Sequence, residues 1–279
     1  MRGLVALSLA LSLGAACGPA AQPDPGGDDD GGGGTVDAGG PGGADAPPWT
    51  PPPAQAKVYA HSADELYTVD PDTLQVALVG PFAWDRGSDQ MTDIAIDGVG
   101  NMVGISFGSV YAVDKATAGC TYLADLDRSF NGMSFVPAQE IDGKGAEVLV
   151  AAALDGAFYR LEPTTGQSTP VGNYGNSMGS SGDIVSVAGF GTVATVTRPG
   201  QANDWLVRVN PNSGAATPIG DTGYAGIWGL GFWKSKVYGF TDSNQFVLID
   251  VNTGAATPVE TGSVSWWGAG VTTAAPVIP

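Results

Sequence analysis

Histidine and cysteine are nearly absent. The 279-residue chain holds one histidine, His61, and two cysteines, Cys17 and Cys120. A His-ligated metal centre needs several imidazoles at fixed spacing and is excluded. Basic residues are scarce as well: 11 against 28 acids, for a net charge of −17. Nucleic acid is read from a basic stripe, so it is excluded as a partner. The same sign excludes unaided electrostatic docking on anionic lipid.

What the chain has is glycine, 43 of them, with threonine, valine and aromatics. That mixture favours short strands and tight turns over helices. One sentence is repeated five times. Its clearest copies are Trp205-Leu-Val-Arg-Val-Asn210-Pro211-Asn-Ser-Gly214-Ala-Ala-Thr217-Pro-Ile219-Gly220 and Gln245-Phe-Val-Leu-Ile-Asp250-Val-Asn-Thr-Gly254-Ala-Ala-Thr257-Pro-Val259. The others are anchored at Asp70, Asp114 and Glu162. Each reads as an alternating apolar strand, an acidic or Asn stop, a Pro/Asn/Gly turn and a short Thr-rich strand. That is a hairpin in which the stop residue bonds its own turn backbone and glycine supplies a positive φ. The anchors are 44, 48, 48 and 40 residues apart. A repeat of about 40–50 residues is the period of a β-propeller blade.

The predicted fold is therefore all-β: a five-bladed β-propeller of four-stranded blades over 57–279. The blades read 265–271 with 57–80, then 91–125, 130–172, 182–220 and 227–260. The first blade lacks an innermost strand, and Trp266-Trp-Gly-Ala-Gly-Val271 is a strand without partners. Joining the two closes the ring and removes exposed edges. Spacing to the hairpins aligns the inner strands as Thr92–Ile96, Asn131–Phe135, Asp183–Val187, Trp228–Phe232 and Trp267–Val271. Small residues at alternate positions suit five strands meeting on one axis.

The N-terminus reads as a targeting device. Met1-Arg2 precedes an apolar stretch, Gly3 to Leu13, too short to span a bilayer. Leu13-Gly-Ala-Ala-Cys17 resembles the lipobox of bacterial lipoproteins, with Gly14 where that family usually has a Leu-like residue. The resemblance implies a signal peptide over 1–16, acylation of Cys17 and a membrane anchor, strong because more than one chain inserts. Residues 17–56 are Gly/Asp/Pro-rich and read as a disordered linker, with an end-to-end distance of about 35 Å. The Asp28-Asp29-Asp30 run reads as solvated charge.

Repeats of the type Leu-Tyr-x-Val-Asp-Pro-x-Thr-Gly resemble those of exported bacterial β-propellers, over residues 57–271. This resemblance implies an exported, cell-envelope protein, with the outer membrane as the expected site of anchoring. Members of that broad group bind sugars, proteins or cofactors, or act as hydrolases or lyases, so the fold does not choose among activities.

In propellers a site lies at the channel mouth, where the inner strands begin. The candidates there are Trp84, Arg86, Asp93, Asn131, Tyr174, Asp183, Tyr224, Trp228 and Trp267. Aromatics among carboxylates and amides stack on sugar rings or anchor a protein interface. The leading function is non-catalytic binding of a glycan or protein. The alternatives are a glycan-active hydrolase or lyase using Asp93 and Asp183, if those carboxyls lie within about 10 Å around a polar pocket, or a structural protein of the envelope. Catalytic signatures fail on inspection. Gly175-Asn-Ser-Met-Gly179 has the G-x-S-x-G spacing without a strand-to-helix turn. His61 reads as an exposed turn residue, Asp125-Leu-Asp127 lacks the rest of a Ca²⁺ loop, and Gly98-x-Gly100 lacks a helix to follow it. Cys120 reads as a small core residue. No cofactor is expected.

Overall fold

A computed structural model describes residues 58–143 and 145–278. Cys17, the expected signal peptide over 1–16 and the expected linker over 17–56 lie outside the described residues.

The repeats fold as read. Blade 1 contributes β1 (Val58–His61), β2 (Glu65–Val69) and β3 (Val76–Pro81), followed by the short β4 (Ala83–Trp84). Blade 2 is β5 (Asp93–Ile96), β6 (Met102–Ile105), β7 (Ser109–Val113) and β8 (Gly119–Asp125). Blade 3 is β9 (Gly132–Val136), β10 (Val148–Ala152), β11 (Ala157–Glu162) and β12 (Gln167–Asn173), with a one-turn helix α1 (Ala138–Ile141) after β9. Blade 4 is β13 (Gly179–Val187), β14 (Gly191–Thr197), β15 (Trp205–Val209) and β16 (Ala216–Asp221). Blade 5 is β17 (Ile227–Trp233), β18 (Lys236–Thr241), β19 (Gln245–Asp250) and β20 (Ala256–Thr261). The last strand, β21 (Gly268–Gly270), pairs antiparallel with β1 and supplies the inner strand of blade 1. Five antiparallel sheets thus form a ring closed by the C-terminal strand.

The hairpin anchors work by their carboxylate and amide oxygens. Asp70 Oδ1 accepts Asp72 N–H at 2.9 Å and Thr73 N–H at 2.8 Å. Asp250 Oδ1 accepts Asn252 and Thr253 N–H at 2.9 and 2.8 Å, and these bonds hold its carboxyl below the ordinary range. Asp114, Glu162 and Asn210 make the same turn bond. Gly166, Gly214 and Gly254 take the positive φ that follows. In blades 1 and 2 that place is held by Leu74 (φ 61°) and Ala118 (φ 58°), not by the glycine expected in blade 2. The turn bonds hold the backbone there despite the strain of a side chain.

One alignment moves. Asp93 Oδ1 accepts Ile94 N–H, and Asp183 Oδ1 accepts Ile184 N–H, so these two residues are equivalent. The innermost level is therefore Asp93, Gly132, Asp183, Gly229 and Gly268, with blade 4 shifted one residue from its hairpin spacing. The cause is an irregularity between Ser180 and Ile184, which absorbs extra residues at the start of β13.

Apolar side chains fill the wedges between blades, as with Phe232, Phe240 and Phe246 on one side and Ile94, Met91 and Leu66 on another. Cys120 is buried there, with its thiol pushed up to about 12 by burial. The far end of the axis is crossed by the segment after β21. Thr272 Oγ1 donates to Asp97 O at 2.7 Å, Ala188 N to Thr273 O at 2.8 Å, and Lys234 N to Pro276 O at 2.8 Å. That segment straps blades 2, 4 and 5 together.

Candidate functional site

Each inner strand has a partner on one side only, so its other edge faces the axis with unpaired N–H groups. Two aspartates answer that demand. Asp93 Oδ2 accepts Met133 N–H of blade 3 at 2.6 Å, and Asp183 Oδ2 accepts Leu230 N–H of blade 5 at 2.7 Å. Each carboxyl thus bonds one N–H of its own strand and one of the next blade. The two carboxyls are also electrostatic neighbours. Both are buried, with 1% and 0% of their surface exposed. Burial raises both well above the ordinary carboxylate range, and the neighbouring charge of Asp93 raises Asp183 further. Full ionisation of the pair is therefore opposed both by burial and by the like charge of its neighbour.

His61 joins this cluster. It is fully buried, which corrects the expectation of an exposed turn residue. A loop between second and third strands lies on the mouth face, so its first residue is packed under the mouth. Nδ1 lies 2.8 Å from Ser62 O, which assigns the proton to Nδ1 and leaves Nε2 an acceptor without a partner. A Cβ on Gly268 would touch both Nε2 and Asp93 Oδ1, so the imidazole sits beside the carboxyl. Burial lowers the imidazole to about 4. Among the described residues no group of three His, Cys, Asp or Glu side chains is placed to hold a metal.

Above this sealed layer stand the aromatics. Trp228 and Trp267 are half-buried and meet edge to face, with ring centroids 6.1 Å apart. Phe107 meets Trp267 at 6.2 Å and leaves 56% of its surface exposed. Its loop is held by Ser106 Oγ, which accepts Ser109 N–H at 3.0 Å, and by Ser129 Oγ–H, which donates to Phe107 O at 2.8 Å. The three rings form one arc over blades 5, 1 and 2. Asn131 continues the mouth on blade 3, its amide donating to Ser180 O at 3.1 Å.

Other candidates do not reach the axis. Trp84 lies in β4, which pairs parallel with β8 at the outside of blade 2. Arg86 lies over the Tyr122 ring at 3.6 Å on the same outer rim. Tyr174 is buried between blades 3 and 4 against Phe158, and Tyr224 packs on the apolar cluster of blades 4 and 5. These residues stand in connectors that begin at the outer strand, so their first positions serve the periphery. Reading only the connectors missed Phe107, Leu154 and Asp204, which lie in the loops between second and third strands on the same face. Asp204 is buried and accepts Ile227 N–H at 2.8 Å. The signal available was exposure of large apolar residues in a loop, Phe107 and Leu154.

The carboxyl pair has no access for a substrate. Glycosidase carboxyls stand roughly 5–9.5 Å apart with sugar or water between them. Here both are buried, out of reach of a substrate. Concavities lined by the described residues lie away from the mouth: a largely apolar basin of about 720 Å³ beside the C-terminal strap, and a groove of about 240 Å³ at the seam of blades 5 and 1.

No family model and no curated protein matches the chain. Solved structures resemble it in fold. A protein of unknown function from Bacteroides caccae is 8% identical, with a TM-score of 0.44, over 74% of this chain and 73% of that one. An auxiliary nutrient binding protein from Bacteroides thetaiotaomicron is 13% identical, with a TM-score of 0.44, over 72% of this chain and 53% of that one. TolB from Acinetobacter baumannii is 16% identical, with a TM-score of 0.46, over 77% and 55%. This chain spans about half the length of the last two.

Proposed function

We propose that this chain is a bacterial cell-envelope lipoprotein whose propeller binds a ligand at the aromatic mouth and performs no chemistry there. The observation that carries the reading is the arc of Trp228, Trp267 and Phe107, partly open to solvent above a channel sealed by a carboxyl pair. Aromatic faces in a platform stack on sugar rings and need no deep cavity, so the ligand class is a glycan. The linker of residues 17–56 would hold the propeller clear of the membrane, anchored through an acylated Cys17.

A glycan array probed with the full chain tests the mouth. The wild type is expected to bind, and Trp228→Ala and Trp267→Ala to lose at least about tenfold in affinity, the scale of a hot-spot aromatic. Retained folding in both variants is checked by thermal melting. Binding that survives both substitutions would place the ligand elsewhere. A chain that binds no glycan but captures an envelope protein through the same two tryptophans would change the ligand class.

The anchor has a separate test. Cys17→Ala is expected to move the protein from the membrane fraction to the soluble fraction, because one residue carries all the lipid. Retention of the variant in membranes would refute lipidation at that residue.

A further inference from the structure

The fivefold repeat supplies its own control for each seam. Four seams carry a backbone bond between the connector leaving one blade and the outer strand of the next. Ala83 N donates to Ala118 O at 3.0 Å, and Asp127 N to Gly166 O at 3.1 Å. Ala216 N donates to Tyr174 O at 3.1 Å, and Ala256 N to Thr222 O at 3.1 Å. The seam that closes the ring, blade 5 to blade 1, has no such bond among the described residues. Its donor would be Val76, which pairs with Val69 as Ala216 pairs with Val209 and Ala256 with Ile249. Its connector position is Gly262. Phe82, Leu126, Tyr174 and Thr222 hold that position at the other seams, as their bonds to the neighbouring loop show: Phe82 N to Asp64 O, Leu126 N to Gly108 O, Tyr174 N to Gly156 O, Thr222 N to Asp204 O, Gly262 N to Asn244 O. Where those seams have a side chain, two of them a ring, blade 5 has none. The result is the 240 Å³ groove, walled by Tyr67, Val76, Leu78, Phe246, Glu260 and Trp266. Leu78 exposes 56% of its surface into solvent beside it.

We propose that a segment of this same chain, the proline-rich stretch 47–53 with Trp49 as its anchor, occupies this groove and completes the seam. Three observations select that occupant. The first is where the described chain begins. Val58, Val69 and Val76 form one row across blade 1, so Val58 stands two strands from Val76, about 10 Å. Trp49 is nine residues before Val58, a reach of up to about 30 Å when extended. An intramolecular ligand at that distance acts at roughly millimolar effective concentration.

The second is chemistry. Tyr67 and Trp266 meet edge to face at 5.2 Å, and an aromatic-lined groove is what proline-rich chain docks against. Prolines bring no N–H groups to leave unpaired, and their carbonyls supply the acceptor that Val76 N–H lacks. Trp49 is the sole aromatic residue before Tyr59, and its indole offers the groove a ring like those that Phe82 and Tyr174 supply at two of the other four seams. The third is charge. The groove carries Glu260 and, behind Tyr67, Glu65, which accepts the Tyr67 hydroxyl. The last acid before the propeller is Asp45, so residues 46–56 meet these carboxylates without repulsion.

Residue-resolved amide hydrogen exchange on the full chain, with Cys17→Ser to keep it in solution, tests this. Val76 N–H is expected to exchange at least about tenfold faster in Trp49→Ala than in wild type, with Trp49→Phe restoring protection. Leu78→Asp, which charges the groove wall, is expected to give the same loss, and the double variant no more than either single one. Exchange at the central strands controls for the folding of the blades in each variant. Equal exchange in wild type and Trp49→Ala overturns the proposal. So does protection that persists in Trp49→Ala and rises with protein concentration, which would give the groove to a second copy of the chain.

Discussion

Asp183→Ala is expected to cost the ring about 3 kcal/mol, while Asp183→Asn costs about half of that. The alanine orphans two inward N–H groups, those of Ile184 and Leu230, at roughly 1–3 kcal/mol each, partly offset because no carboxyl need then be buried. For a domain of this size the net loss lowers the melting temperature by roughly 6–12 °C. Asparagine behaves differently. Its carbonyl accepts one N–H and its amide is a donor beside the Asp93 carboxyl, so one N–H, of Ile184 or Leu230, loses its acceptor instead of two. Asp93→Asn is expected to cost about as much for the same reason, whereas the double Asn variant leaves four N–H donors facing two carbonyl oxygens and fails. Thermal melts of the three variants decide it. A double variant no worse than the sum of the singles would mean that the pair does not act as a unit.

The pair also sets a pH dependence. Its folded values lie above the ordinary carboxylate value near 4, so its contribution is fully present below that value and is lost as pH rises through the raised values. His61 runs the other way. Its folded value is lowered to about 4, so stability is present above about 6.5 and is lost as pH falls from there towards 4. The two slopes oppose each other between about 4 and 6.5, and the alkaline side isolates the carboxyls. Asp183→Asn should flatten the alkaline arm and leave the acid arm of His61 in place. An alkaline arm unchanged in the variant would mean that the pair is already fully ionised in the native ring.

Much of this architecture is legible in the sequence because hairpin chemistry is local. Asp70, Asp114 and Asp250 each bond a turn two or three residues away, so their spacing survives any tertiary context. Ring closure was readable for a similar reason: β21 lacks a partner in its own vicinity, and β1 lacks an inner neighbour. The site was less legible. His61 looks like a turn residue in one dimension, and only the ring shows that its loop lies under the mouth. Asp183 was placed one residue away from its equivalent because the irregularity after Ser180 is set by how β13 packs, not by the hairpin. Trp84 and Tyr174 were read as mouth residues from their connectors. In the fold those connectors start at the outer strand, so Trp84 stays on the rim and Tyr174 fills a seam. Phe107 was passed over because nothing local separates an exposed loop phenylalanine from a core one.

Gly132→Ala is expected to destabilise the ring by about 3 kcal/mol or more, through a single methyl group. A Cβ there would overlap Gly182 O and stand 2.8 Å from the Asp183 Cα. Both are backbone atoms of the neighbouring inner strand, so no rotamer change relieves the contact, and overpacking of this kind costs about 1–3 kcal/mol where side chains can move. The axis repeats the arrangement: a Cβ on Gly229 would lie 2.6 Å from the Gly268 carbonyl carbon. Three glycines at one level let five strands approach closely enough for the aspartates of blades 2 and 4 to meet. Gly108→Ala is the control, since a Cβ there meets nothing within 4 Å, and it should change stability by less than about 0.5 kcal/mol. Denaturant midpoints of the two variants separate the cases. A Gly132→Ala ring as stable as the Gly108→Ala ring would mean a looser axis, with room between the inner strands of blades 3 and 4.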